Sequence, residues 1–139
     1  MGAQYVTPAQ LPLYGLNPFA IQKVSLAEQN AACVAASATA DSYFRGRYPL
    51  PFVTFDVDIT LRVAHVAIWL LLSSRGRNPE AGYDDQIDER YKEAVAWFGC
   101  VQRQAAHPNV TVSQTNAPNY SFPAVISSPT RGWTRVGRW

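Results

Sequence analysis

The stretch Tyr43-Phe44-Arg45-Gly46-Arg47-Tyr48-Pro49-Leu50-Pro51 limits the folds open to this chain more than any other. The residues before it read as helix, and those just after it cannot. Gly46 offers a helix stop, and Pro49 and Pro51 push Tyr48 and Leu50 towards extended backbone. The pattern places Arg45 and Arg47 in the last turn of a helix, where its carbonyl end favours cations. Rings and arginines packed around a stiff bend fit a structural corner. They also suit protein contact, so Tyr43, Arg45, Arg47 and Tyr48 are candidates for either role.

The helix leading into this bend opens at Ser25-Leu26-Ala27-Glu28. In that capping box, Ser25 and Glu28 satisfy each other's free backbone donors. Leu26, Cys33, Ala40 and Phe44 share a face, and the seven alanines from Ala27 to Ala40 favour helix and keep its profile thin. Upstream, Thr7-Pro8 starts a shorter helix, with Leu11, Leu13, Tyr14 and Leu16 available for packing. Pro12, Gly15 and Pro18 hold it to a turn or two.

After the bend, Asp56 or Asp58 can cap a second long helix reaching about Ser74, closed by Gly76 and Pro79. Leu61, Val63, Val66, Ile68, Trp69, Leu70, Leu71 and Leu72 point all round it, so it must be covered on every side, by this chain or by a neighbouring copy. Trp69 joins the candidate contact residues on that ground. The most apolar run, Val63 to Leu72, is about ten residues, well short of the roughly 20 that cross a bilayer.

A third helix starts at Asp84 or Asp85, where acidic residues complement the dipole. It carries the clearest stripe in the chain, Ile87, Tyr91, Ala94, Phe98, Val101 and Ala105, and ends near Ala106, before Pro108. The expected fold is all-α: a small bundle of three long helices plus a short N-terminal one, spanning residues 1–107.

Residues 108–139 are different. Four prolines mixed with Asn, Ser and Thr replace helical periodicity, and Val110-Thr111-Val112 and Phe122–Ile126 read as short extended pieces. The last acidic residue is Glu93, while Arg103, Arg131, Arg135 and Arg138 follow it, so the arm is basic on a nearly balanced body whose whole-chain charge is +2. Tyr120, Phe122, Trp133 and Trp139 are costly to leave in water, and arginine beside tryptophan is a common pairing of interface anchors. An arm of this composition orders on a partner.

Catalytic groups do not assemble in the sequence. His65 falls in the apolar helix, where a core histidine is expected, and His107 at a helix end. No phosphate loop, paired-cysteine metal motif or nucleophile elbow is present. The acidic residues from Asp84 to Glu89 lack the alternation and glycine of a calcium loop, and fit a solvated helix start. Cys33 and Cys100 lie among apolar helical neighbours and are expected to be reduced. No enzyme activity, cofactor or metal is expected. The N-terminus does not read as a secretion signal.

Taken in order, the motifs resemble a known family. Tyr5-Val6-Thr7-Pro8-Ala9-Gln10-Leu11, then Ala40-Asp41-Ser42-Tyr43-Phe44-Arg45-Gly46-Arg47-Tyr48-Pro49-Leu50-Pro51, the apolar second helix, and Glu89-Arg90-Tyr91-Lys92-Glu93-Ala94 are similar to the Mu-like phage and prophage head–tail joining proteins. They also resemble the helical adaptors of long-tailed phages. The resemblance covers about Gln4 to Ala106. Its second helix follows Phe52-Val53-Thr54-Phe55 where a proline is common, which leaves the shape of the corner open.

The resemblance implies a virion neck protein made in the bacterial cytoplasm. It would form a ring of twelve copies below the portal, continue the DNA channel, and meet a downstream neck or tail-terminator protein. In that reading the arm docks on the portal protein through Tyr120, Phe122, Arg131, Trp133, Arg135, Arg138 and Trp139, and genomic DNA passes transiently. The alternative is a small DNA-binding module using the basic arm, whose few arginines predict weak, salt-dependent binding.

Overall fold

The computed structural model describes residues 3–75 and 82–112. Two 3-10 helices, Pro8–Tyr14 and Pro18–Ile21, lead into α1 (Leu26–Phe44), followed by β1 (Phe52–Phe55), α2 (Val57–Arg75), α3 (Gly82–Gln102) and β2 (Val110–Val112). The chain is therefore mainly helical, as its periodicity implies, with one small antiparallel pair added. α2 lies between α1 and α3 and carries the first 3-10 helix across it.

Local chemistry explains most boundaries. At α1, Ser25 Oγ accepts from Glu28 N–H at 3.2 Å, and Glu28 Oε2 accepts from Ser25 N–H at 3.0 Å, closing the expected box. The helix ends at Phe44, with Arg45 as its cap in right-handed geometry. Arg45 and Arg47 therefore follow the last turn instead of occupying it. Phe44 O accepts from both Arg47 N–H (2.8 Å) and Tyr48 N–H (2.9 Å), which closes the helix without a left-handed Gly46. Gly15 does take the left-handed conformation, φ 109°, and a Cβ there would run into the Arg90 guanidinium.

The first helix is 3-10 over its whole length. Pro12 within it lacks the N–H that an α-helical ladder would need. Its Leu11 is buried, as is Leu16 just beyond it, but Leu13 is 79% exposed and does not join the packing the pattern suggested. α3 begins at Gly82, two residues earlier than expected, and stops at Gln102. There Gln104 turns left-handed (φ 67°) and Ala105 N–H returns to Cys100 O at 2.8 Å, so the stripe position Ala105 lies past the helix.

The corner left open by the sequence is a strand. Phe52, Thr54 and Phe55 pair with Val112, Thr111 and Val110, with an irregularity between Phe52 and Thr54. Asp56 links this pair to α2: Oδ1 accepts from Val57 N–H at 2.7 Å, and Oδ2 from Asn109 Nδ2 at 3.3 Å. The arm is thus tied to the body at its root.

The core runs along α2. Ile59, Val63, Ala64, Val66, Ala67, Ile68, Leu71 and Leu72 are buried, and Leu61, Trp69 and Leu70 are half-buried. The chain itself covers this helix, so its apolar girth does not demand a neighbour. Val57–Ser74 is long and apolar enough by composition to cross a membrane, a longer run than the ten residues read from the sequence, but half of it is buried within the body, as in a core helix. On α1, Cys33, Ala40 and Phe44 face the core as expected, joined by Ala32, Ala36, Ser37 and Asp41. Leu26 departs from that face at 70% exposure, at the edge of the groove between the first turns of α1 and the segment Thr7–Ala9.

Candidate interface site

The bend between α1 and β1 is a knot of rings. Phe44, fully buried, meets Tyr5 (6.4 Å between ring centres), Phe52 (5.6 Å), Trp97 (6.5 Å) and Phe98 (5.6 Å). Tyr43 stacks on Phe98 at 5.8 Å, and Tyr48 stands edge-on to Phe52 at 5.8 Å. Edge-to-face pairs at such spacings add attraction beyond the area they bury. The knot joins the N-terminus, the end of α1, β1 and the end of α3 in one place.

Its polar base is equally committed. Tyr5 hydroxyl donates to Asp41 Oδ1, Tyr5 N–H donates to Ser37 Oγ at 3.1 Å, and Ser37 hydroxyl donates to Cys33 O at 2.8 Å. Burial raises the Asp41 carboxyl, opposed by the Tyr5 hydrogen bond and the charge of Arg45. Burial, then the hydrogen bond to Asp41, raises the Tyr5 phenol. Burial pushes the Cys33 thiol up to about 11, so it stays a protonated apolar side chain.

Tyr43 and Tyr48 therefore spend their rings inside the chain, and Arg45 and Arg47 form the exposed side of the bend. With its amide oxygen turned towards Arg47, Gln104 accepts from Arg47 Nη2 at 2.9 Å, which couples the bend to the end of α3. Arg103 is exposed beside it, making this end of the bundle basic, whereas α3 opens on Asp84 and Asp85. Its 21 residues separate those ends by about 30 Å.

Trp69 stacks on Tyr91 at 4.1 Å with planes 12° apart, and its Nε1 donates to Asp88 at 2.9 Å. Both its face and its N–H are engaged within the chain. Arg62 lies over the Trp97 ring at 5.8 Å.

His65 is half-buried. Its Nδ1 is buried and has no hydrogen-bond partner among the described residues, so it is not the satisfied core histidine that was expected. Burial first, then the charges of Arg90 and Arg62, lower its pKa, against Glu93. No group of three potential metal ligands occurs among the described residues. Tyr120, Phe122, Arg131, Trp133, Arg135, Arg138 and Trp139 lie outside the described residues.

Sequence reasoning passed over two features. Tyr83 hydroxyl donates to Gly15 O (3.0 Å) and accepts from Asn17 N–H (2.7 Å), pinning the N-terminal turns to the start of α3. A contact across 66 or more positions leaves no periodic signal. The exposed large apolar residues are the other: Leu13, Phe19 (77%), Leu26, Val34, Val53 and Val57. Beside Leu26 lies an apolar groove of about 550 Å³, lined by Thr7, Pro8, Ala9, Leu26, Ala27 and Asn30.

Comparison with known proteins gives one family. No curated protein matches the chain. The family model described as "Bacteriophage Mu, Gp36" matches residues 10–125, which takes in all three α-helices, both strands and thirteen residues beyond β2. A match over most of the chain, on top of a ring-knotted bend between alanine-rich and apolar helices, places this protein in the bacteriophage Mu Gp36 family, among the proteins of Mu-like phages.

Proposed function

We propose that the protein is a non-catalytic structural component of the virion, a head–tail connector that forms a ring below the portal. That ring would continue the DNA channel and meet a downstream neck or tail protein. Family membership is the observation that carries this reading, and it agrees with the adaptor-like order of motifs in the sequence. The geometry supports it in two ways. The bend is braced internally by rings and hydrogen bonds, as a stiff wall element needs to be. The exposed apolar side chains Leu13, Phe19, Leu26 and Val34 supply lateral contact surface, a task that the covered α2 does not require.

In this reading the end of the arm carries portal attachment through Arg131, Trp133, Arg135, Arg138 and Trp139. A modest contact repeated around a ring gives avidity, so no single arm needs to bind tightly. The test is removal of residues 126–139, a cut that leaves β2 and the whole family-matched segment in place. The truncated protein should keep its helical circular dichroism and melting point and lose co-sedimentation with portal. Undiminished association would defeat the proposal. The same preparations answer the DNA-binding alternative: all 10 acidic residues precede the arm, so duplex binding by the body should be negligible at moderate salt.

A further inference from the structure

We propose that the pocket between the first 3-10 helix and the α2–α3 pair binds a carboxylate, held by the Arg90 guanidinium and by His65. The pocket, about 430 Å³, is lined by Leu13, Tyr14, Gly15, Leu61, His65 and Arg90. Leu61 and His65 stand one turn apart on α2, and Arg90 comes from α3. Gly15 makes the close approach possible: its backbone is left-handed, and the space a Cβ would take there is filled by the Arg90 guanidinium. Leu13, 79% exposed, forms part of the pocket wall, which gives it a task outside the core.

Arg90 and His65 reach this pocket without partners. Arg90 is half-buried, yet among the described residues its guanidinium makes no hydrogen bond or ion pair, and the adjacent Gly15 O accepts from the Tyr83 hydroxyl instead. A guanidinium keeps its charge and its N–H donors at any ordinary pH, so solvent or an anion must meet them. His65 makes no hydrogen bond among the described residues either. Its Nδ1 is buried, so the ring meets the pocket along the edge that carries Nε2. The surrounding charge favours a monoanion. Arg90 and Glu93 of α3 and Arg62 of α2 are the charged groups acting on His65, which leaves one net positive charge. Arg62 lies over the Trp97 ring, so Arg90 is the cation left to the pocket. A single carboxylate neutralises it and matches the planar fork, whereas a phosphate dianion would leave excess negative charge beside Glu93. Leu13 and Leu61 offer the carbon stem of such a ligand an apolar wall.

The full-length protein alone tests this, independently of any portal binding. Sodium propionate, titrated at neutral pH against sodium chloride of equal ionic strength, should shift the His65 ring resonances saturably and leave the exposed His107 unmoved. Inorganic phosphate should bind more weakly than propionate. Arg90→Gln should weaken propionate binding about tenfold or more, and Arg90→Lys, which keeps the charge without the fork, should retain part of it. A His65 response no larger in propionate than in chloride overturns the proposal, as does an Arg90→Gln protein that binds propionate like the parent. Two sources share this chemistry, a dissolved organic acid and an acidic side chain of a second copy. Sedimentation velocity separates them: self-association weakened by Arg90→Gln, and in the parent by propionate, marks the side chain, and unchanged self-association marks the dissolved acid. Only the second source rests on the connector reading; the site itself does not.

Discussion

Burying Tyr5 against Asp41 makes the pair sensitive to pH in a direction that can be worked out. Folding raises the Tyr5 phenol above its ordinary value of 10.0, so the protonated form is the one the fold favours. The stability it contributes is complete below pH 10 and is lost as pH climbs beyond that. Tyr5→Phe leaves the Asp41 carboxyl buried without its donor, and should cost about 1–3 kcal/mol at neutral pH. The variant should also lose less stability than the parent between pH 9 and 11, as read from urea midpoints. His65 runs the other way. Its folded pKa lies below the ordinary 6.5, so its contribution is complete above 6.5 and declines as pH falls through the folded value. His65→Gln should melt at a more nearly constant temperature between pH 7.5 and 5 than the parent does. An unchanged slope would show that the imidazole is not the group responsible.

Among the elements, the bend and α2 carry the most consequence. Phe44 is fully buried at the centre of the knot, so Phe44→Ala should cost about 3–5 kcal/mol in chemical denaturation. Trp69 is half-buried but both stacked and hydrogen-bonded, so Trp69→Ala should also destabilise clearly. Asp88→Ala should cost less, because it leaves the stack of Trp69 on Tyr91 in place. The three long helices were legible because capping box, stripe and breaker agree within each of them. Phe44 and Cys33 were placed correctly by spacing alone. Leu26 and Leu13 were not, since periodicity says which face a residue shares and nothing about whether another element covers it. The strand pair was half visible: Val110–Val112 reads as extended, but its partner 58 positions earlier follows two prolines and sits next to a helix start. Of the candidate contact residues, Tyr43, Tyr48 and Trp69 proved to have intramolecular ring partners, which residue type alone cannot distinguish from an open interface.

For the whole molecule, the connector reading predicts a defined assembly. Twelve copies of a 15.4 kDa chain give about 185 kDa, which native mass measurement in the presence of portal would register. Phe19→Glu and Leu13→Glu alter side chains that are 77% and 79% exposed, so the subunit should fold unchanged. If these residues form the lateral contact, the ring should fail to close, and a full-sized ring in either variant would move that contact elsewhere. The pairing of Val110–Val112 with Phe52–Phe55 bears on mechanics too. Tension on the tail of the chain, directed along that strand, would load the rungs of the ladder together and not one after another. The pull would pass through Phe52 into the cluster around Phe44, so a tug from above would be shared between the ends of α1 and α3 that meet there.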